Sequence, residues 1–358
     1  IIFLILMKRF IIFRTDRLGD YLIHSRPIYE IKRKYKNCFI TVVCSKINKK
    51  ILDKTDYIDE LIEFNKNDSL LSKINTFLYI LKSKYYACFV LDGKNFSYFC
   101  NCFLRSKKKY GIIYQSYKKL FLNFKSYKPS KLYSFLFFDK AEYFTSRKYL
   151  IKPENLSQIY LNLFNELNLT VYDKYIFQNI HTIKSKFENL RSKLDLNDYI
   201  LIHFDEKWID IDDVKNKLSV SLIKFEEKIK KKIIITAYKN NFDYFQNLKN
   251  NFTYFNCSDN NFDKIKISNI TILDEVNIFM FERFLKYSKL NISCHAGFVA
   301  QVCGANGGKI LDIINENDLN WYSCWKPMNT YHKFVFKSDH NKNKKKIDEI
   351  FGDIVQVL

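Results

Sequence analysis

Short apolar runs alternate with stretches of helical periodicity through the early part of the chain. Phe10-Ile11-Ile12-Phe13 is continuously apolar and predicts a short buried strand. In residues 21–35, Leu22, Ile23, Tyr29, Ile31 and Tyr35 recur at roughly helical intervals, the mark of a helix with one buried face. The same pair then repeats. Residues 38–44 are β-branched and apolar, a second buried strand, and 47–57 read as a helix. Residues 58–64 alternate as an edge strand does, and 70–84 return to helical spacing. Residues 86–92 form a strand closed by Asp92-Gly93, 96–103 a short helix and 110–114 one more strand. Strands alternating with helices at this rhythm predict a parallel, doubly wound sheet.

Residues 117–147 break the rhythm, being irregular, basic and aromatic. They are the expected acceptor-binding loops, although in a chain so rich in Lys, Phe and Tyr chance interleaving is the better explanation of the pattern itself. An amphipathic helix over 154–167 leads to a polar stretch at 168–174, the expected domain boundary. The alternation then restarts, with strands at 199–204, 233–236, 253–255, 290–294 and 309–314. Helices are expected within 214–232 and over 241–250, 277–286 and 298–305. The lysine run 342–346, usually plain solvated surface, precedes a terminal helix, 347–357, free to return to either domain. The division is therefore 7–172, 173–340 and a carboxy-terminal helix, 341–358.

Composition narrows the class. With 358 residues, 47% of them hydrophobic and 27% charged, the chain has core enough for two ordinary soluble domains. It opens on Ile1, with Met7 the expected initiator, and Lys8 and Arg9 interrupt the apolar start before it reaches a membrane span. No small-residue cleavage site follows, so the expected location is cytoplasmic. The nine cysteines are scattered and contain no Cys-x-x-Cys pair, which argues against a zinc knuckle or a disulfide framework. The net charge is +21, but Lys supplies most of the 59 basic side chains, the bias of an AT-rich genome. Its distribution says more: residues 1–172 hold 31 basic and 14 acidic side chains, a net of +17. Such a half draws anionic partners: nucleic acid, an acidic sugar or lipid, or a membrane surface.

Three turns at strand ends carry the candidate chemistry. Arg14-Thr15-Asp16-Arg17-Leu18-Gly19-Asp20 joins the first strand to the first helix, at the sheet edge where ligands bind in open α/β folds. Gly19 offers a backbone angle closed to other residues. Asp20 is either a simple helix N-cap or a functional carboxylate. No G-x-G-x-x-G fingerprint is present. The second turn is His203-Phe204-Asp205-Glu206-Lys207-Trp208, and the third Ile292-Ser293-Cys294-His295-Ala296-Gly297.

In order and spacing these motifs resemble glycosyltransferase family 9, the lipopolysaccharide heptosyltransferases and their relatives. The first motif matches the family's Gly-Asp loop well. The third has the Ile-Ser, two variable positions and Gly that opens a helix, preceded by the helix around 281–285. The middle motif is a variant of the family's His loop with its Lys and Trp. The resemblance implies an α/β protein of GT-B architecture, two facing Rossmann-like domains with parallel sheets. The amino-terminal domain would bind the acceptor and the carboxy-terminal domain a nucleotide-sugar donor.

It implies a single inverting displacement with no required metal and no cofactor. Asp20 would be the general base, kept ionised at a helix N-terminus with a low pKa. Arg14, Arg17 and Gly19 would lie on the acceptor side, although both arginines also suit salt bridges to nearby acids. Lys207, taken alone, is ordinary solvated surface; as the family's phosphate lysine it would serve the donor with Ser293, His295, Ala296, Gly297 and Phe298. His295 stands where relatives more often carry Asp, and as a lone residue suits a structural hydrogen bond. The ribose-binding acid of many relatives has no counterpart, Lys239 and Asn240 standing in its region. The expected acceptor is an anionic glycan or glycolipid, with peripheral contact at the inner membrane surface. Rival readings are a non-catalytic sugar-nucleotide binder and a basic nucleic-acid-binding protein. No recognised nucleic-acid reader motif is present, so no specific nucleic acid is expected.

Overall fold

The computed structural model describes residues 7–117, 125–128, 131–145, 151–169, 181–237, 243–258, 261–264, 269–327 and 330–358. The chain divides into two compact units, Ile1–Gln178 and Asn179–Leu358. The boundary expected at 172/173 lies outside the described residues.

The first unit contains β1 (Lys8–Arg14), β2 (Cys38–Cys44), β3 (Glu60–Glu63), β4 (Lys84–Val90), β5 (Arg105–Tyr117), β6 (Lys125–Lys128) and β7 (Lys140–Thr145). The strand order is β3-β2-β1-β4-β5. β7 pairs with β5 in parallel and β6 with β5 in antiparallel. β1 is central, and Phe10, Ile11, Ile12 and Phe13 are fully buried. An unbroken apolar run suits a strand covered on both faces. Ile11 and Phe13 point into a cluster with Ile80, Tyr98 and Phe138, from the loop-and-helix segments that follow β3, β4 and β5. On the other face Phe10 meets Tyr35, and Phe89 stacks on Phe164.

β5 is longer than residues 110–114 because Arg105 to Lys109 also pair with β4; their polar heads hide a strand from any pattern search. The irregular stretch 117–147 likewise contains β6, the helix Lys131–Phe137 and β7. Residues 118–124, 129–130 and 146–150 of the expected acceptor loops and their margin lie outside the described residues.

The second unit contains β8 (Tyr199–Phe204), β9 (Lys232–Ala237), β10 (Thr253–Asn256), β11 (Asn261–Lys264), β12 (Ile270–Asp274), β13 (Leu290–Ser293), β14 (Lys309–Asn315) and β15 (His332–Ser338). They are ordered β11-β10-β12-β9-β8-β13-β14-β15. β10 and β11 pair in antiparallel and the other neighbours in parallel. The terminal helix Ile347–Val357 belongs to this unit. Its Ile347, Ile350, Phe351 and Ile354 share a core with Val214, Leu218, Leu222 and Phe225, and Phe351 stacks on Phe225 at 4.8 Å. Among the described residues no helix is long and apolar enough to cross a membrane.

Candidate functional site

β1 delivers Arg14 to its carboxyl end, and the helix Leu18–Lys34 begins four residues later. The turn is made by Arg17, whose extended backbone is the N-cap. Gly19 is helical rather than left-handed, so the backbone freedom expected of it is not used. Asp20 is not the N-cap either. It is the third helical residue, and its carboxylate accepts a hydrogen bond from the Arg17 N–H.

Arg14 is completely buried. Its Nη1 donates to the Leu91 carbonyl and, at 3.2 Å, to the Tyr160 hydroxyl. It lies 3.2 Å from Asp16 Oδ2, while Nη2 is 3.9 Å from Asp20 Oδ1. Of the two roles weighed for it, the salt bridge is the one seen; Arg17 is exposed. Lys94 reaches Asp16 at 3.0 Å. Asp92, also buried, accepts from Thr15 Oγ1 at 2.7 Å and Ser97 Oγ at 2.8 Å. These bonds tie the ends of β1 and β4 into one rigid corner.

Burial pushes the Asp20 carboxyl up from its ordinary value, against the pull of Arg14 and with the nearby charge of Asp16 adding to the rise. The low value expected from the helix terminus alone is therefore overturned, because desolvation outweighs the helix charge. One turn on, His24 donates from Nδ1 to the Asp20 carbonyl at 3.0 Å, and its ring stands edge-on to Tyr160. Burial holds it neutral, well below the usual imidazole range.

In the second unit the other two motifs meet. Lys207 follows β8 on a short 3-10 turn, Glu206–Asp210, anchored by the buried Trp208 indole donating to the His203 carbonyl at 3.0 Å. Its Nζ donates to the carbonyls of Cys294 (3.0 Å) and His295 (2.7 Å), and lies 3.7 Å from the Asp205 carboxylate. Burial pushes Asp205 up to about 6, with Lys207 opposing. The buried Lys337 donates to the Lys207 carbonyl at 2.7 Å, fixing the turn from below.

Past β13 the chain turns through His295, whose φ is +56°, a conformation uncommon outside glycine. The helix Gly297–Ala305 then starts with Ala296 as N-cap and no side-chain cap, leaving N–H groups at its positive end. Phe298 stacks on Phe281 at 5.7 Å. Ser293 Oγ accepts from the Ala296 N–H at 3.1 Å and donates to Asp312 Oδ1 at 2.9 Å.

Asp312 Oδ2 takes His295 Nδ1 and His332 Nε2, each at 2.8 Å. Burial opposes the Asp312 charge, but the two imidazoles hold its carboxyl well below the usual range. Burial in turn lowers His295, against Asp312. His295 is thus a neutral ring donating from Nδ1, with Nε2 carrying the lone pair. His295, Asp312 and His332 are also a group whose ligand atoms, all within 4.8 Å, suit a metal ion. Here they are bonded to one another.

Asp312 and His332 were missed by sequence reasoning. Asp312 did carry a signal: past the exposed Lys309 at the strand's start it is the one charge in an apolar run, and a buried charge demands partners. His332 opens a strand that was not expected. Lys239 and Asn240, where a ribose-binding acid was sought, lie outside the described residues.

Two Rossmann-like units in series, each with a mainly parallel sheet, define the GT-B architecture. No family model matches the chain, and no curated protein matches it by sequence. Solved structures do. A glycosyl transferase family 9 protein from Veillonella parvula superposes with a TM-score of 0.68 at 14% identity, over 98% of this chain and 95% of that one. The E. coli heptosyltransferase WaaC with ADP gives 0.60 at 12% identity, over 98% and 100%. E. coli ADP-heptose lps heptosyltransferase II gives 0.58 at 8%, over 98% and 99%. The resemblance carried by the three motifs therefore extends to the fold of nearly the whole chain.

Proposed function

We propose that this protein is an inverting glycosyltransferase. It moves a sugar such as heptose from a nucleotide donor to an anionic saccharide or lipid-linked acceptor in cell-surface polysaccharide assembly. The observation that carries the reading is Asp20, a carboxylate raised by burial yet held by Arg14 at the start of a helix. A base tuned upward takes a hydroxyl proton more readily than an ordinary aspartate.

In the reaction the acceptor oxygen bonds to the anomeric carbon as the bond from that carbon to the diphosphate oxygen breaks. The acceptor proton passes to Asp20, and the nucleotide diphosphate leaves with the electron pair. Arg14, being buried, serves by positioning Asp16 and Asp20, whereas the exposed Arg17 meets the acceptor, with Gly19 beside it. The charge that gathers on the departing diphosphate needs fixed donors. Lys207 and the positive end of the helix that begins at Gly297 and Phe298 supply them. Ser293 and Ala296 shape the turn.

His295 replaces the carboxylate of relatives without losing its chemistry. With Nδ1–H given to Asp312, Nε2 accepts a hydrogen bond from a sugar hydroxyl as a carboxylate oxygen would. Two solved neighbours, WaaC with ADP and WaaC with ADP-2-deoxy-2-fluoro heptose, support a nucleotide-sugar donor. No metal is required, so activity survives EDTA. The protein works in the cytoplasm.

The test is a thermal-shift screen of nucleotide sugars, since a ligand of the folded state raises its melting point, followed by transfer assays on the hits. Asp20→Asn should abolish transfer while sparing donor binding. Unchanged turnover would refute the base, and binding without turnover in the wild type would favour a non-catalytic relative.

A further inference from the structure

Three neighbouring strands of the second unit bring two imidazoles and a carboxylate to one point. β14 lies between β13 and β15, with Asp312 opposite Ser293 and Ile310 opposite His332. Side chains alternate across a sheet, so Ser293, Asp312 and His332 share one face. His295 enters from the turn that follows β13. Its Nδ1, Asp312 Oδ2 and His332 Nε2 all lie within 4.8 Å of one another.

Hydrogen bonds alone would hold such a cluster together, but its surroundings suit an ion. Asp312 is fully buried, and among the described residues no Lys or Arg pairs with it. Buried charges are paired or coordinate metals. Ser293 Oγ holds Asp312 Oδ1 at 2.9 Å, which orients the carboxylate and leaves Oδ2 facing both rings, as the outer partners of metal ligands do. His332 Nδ1 is buried and has no hydrogen-bond partner among the described residues. Nothing on that side fixes the tautomer, so Nε2 is able to offer a lone pair.

Little has to move. Each ring nitrogen is 2.8 Å from Asp312 Oδ2, against about 3.3 Å between the ligand atoms of a tetrahedral ion. As an ion enters, the proton on His295 Nδ1 passes to Nε2 and that on His332 Nε2 to Nδ1, so a neutral ring loses none overall. Two nitrogens and one oxygen also select the ion. Magnesium and calcium take oxygen ligands, whereas imidazole suits zinc and its first-row neighbours. The rings of Tyr322, 4.2 Å from His295, and Phe334, 4.8 Å from His332, wall the place off.

We propose that His295, Asp312 and His332 form a binding site for a divalent transition metal of the zinc class. Binding stands on these three residues and does not depend on sugar transfer. Where the transfer reading holds, the ion turns His295 Nε2 from an acceptor into a donor and so competes with the sugar hydroxyl.

The test uses the full chain, freed of metal by a chelator and dialysis, then titrated with Zn²⁺ and with Co²⁺ as its coloured substitute. Saturation near about one ion per chain is expected, with the visible absorption of four- or five-coordinate cobalt. Mg²⁺ in excess should not displace zinc. His332→Gln and Asp312→Asn should each weaken zinc binding by about 100-fold or more, since losing even an outer partner of a ligand costs about 10–100-fold. Melting curves show which variants fold. Should neither fold, histidine NMR of the wild type still decides: zinc should move the ring signals of His295 and His332 and leave His24 in place. An octahedral cobalt spectrum, unchanged zinc affinity in a folded His332→Gln protein, or displacement by Mg²⁺ would each overturn the proposal. So would movement confined to His340, an exposed ring beside Glu316, which marks an adventitious ion only.

Discussion

Arg14 Nη2 stands 3.9 Å from Asp20 Oδ1, and the guanidinium has no exposed surface. The cation is therefore a fixed, buried charge behind the carboxylate proposed as the base. Two opposing effects set the carboxyl: burial raises it, and Arg14 restrains the rise. Removing the charge in Arg14→Gln should let the carboxyl climb further, so the acid limb of the transfer rate moves to higher pH. Asp20→Asn should lower the rate by about 10²–10⁴, the span general-base catalysis contributes. A pH–rate profile for each variant, with melting curves to show that both fold, checks this. An acid limb that stays put in a folded Arg14→Gln protein would separate the two residues.

Lys207 bonds two carbonyls of the third motif, at 3.0 and 2.7 Å, so it both shapes that turn and brings charge to it. Lys207→Met keeps the stem and deletes the charge. A drop in transfer of about 10²–10³ is expected, the usual cost of one group that stabilises developing negative charge. Lys207→Arg should recover part of it. A folded Lys207→Met enzyme with wild-type kcat and KM would remove Lys207 from the donor site.

What could be read from the chain and what could not divide along physical lines. Phe10 to Phe13 and Tyr199 to Phe204 announced themselves because strands buried on both faces need unbroken apolar runs. The turns at Asp20, Lys207 and Gly297 stood out because charge and glycine interrupt those runs. The longer β5 did not, since lysine stems lie along a strand while their heads reach water. The electrostatics of Asp20 were hidden for another reason. They depend on Arg14 being sealed in by Tyr160, 146 positions away, and no local pattern reports such a contact. Asp312 shows the middle case, where a single acid within an apolar run signalled a partner without saying which.

His295 makes a prediction about a proton. With Nδ1–H held by Asp312 at 2.8 Å and the ring's pKa lowered by burial, the Nδ1–H tautomer should dominate at neutral pH. Nitrogen NMR of labelled histidine should show Nε2 unprotonated. Asp312→Asn frees that choice, because an amide offers the ring both a donor and an acceptor. Its expected mark is a mixed tautomer and a raised donor KM, with His295→Ala raising KM by about 10–100-fold as a buried hydrogen-bonding group is lost. A doubly protonated ring at pH 7 in the wild type would defeat the acceptor role.

Asp205 offers a test of stability alone. Its carboxyl is pushed up to about 6 by burial, against about 3.9 in an unfolded chain. Between these values the folded state binds the proton more tightly, so its stability declines as the pH rises through the window. Above about pH 6 the full penalty remains, of order 1–2 kcal/mol once the partly exposed contact with Lys207 is discounted. Asp205→Asn keeps the oxygen that accepts the Lys207 N–H at 3.0 Å and removes the charge. Melting curves should show the variant more stable than the wild type at about pH 8, with the difference closing near pH 4. A variant less stable than the wild type at the higher pH would mean that the attraction of Lys207, 3.7 Å away, outweighs the desolvation of the carboxylate.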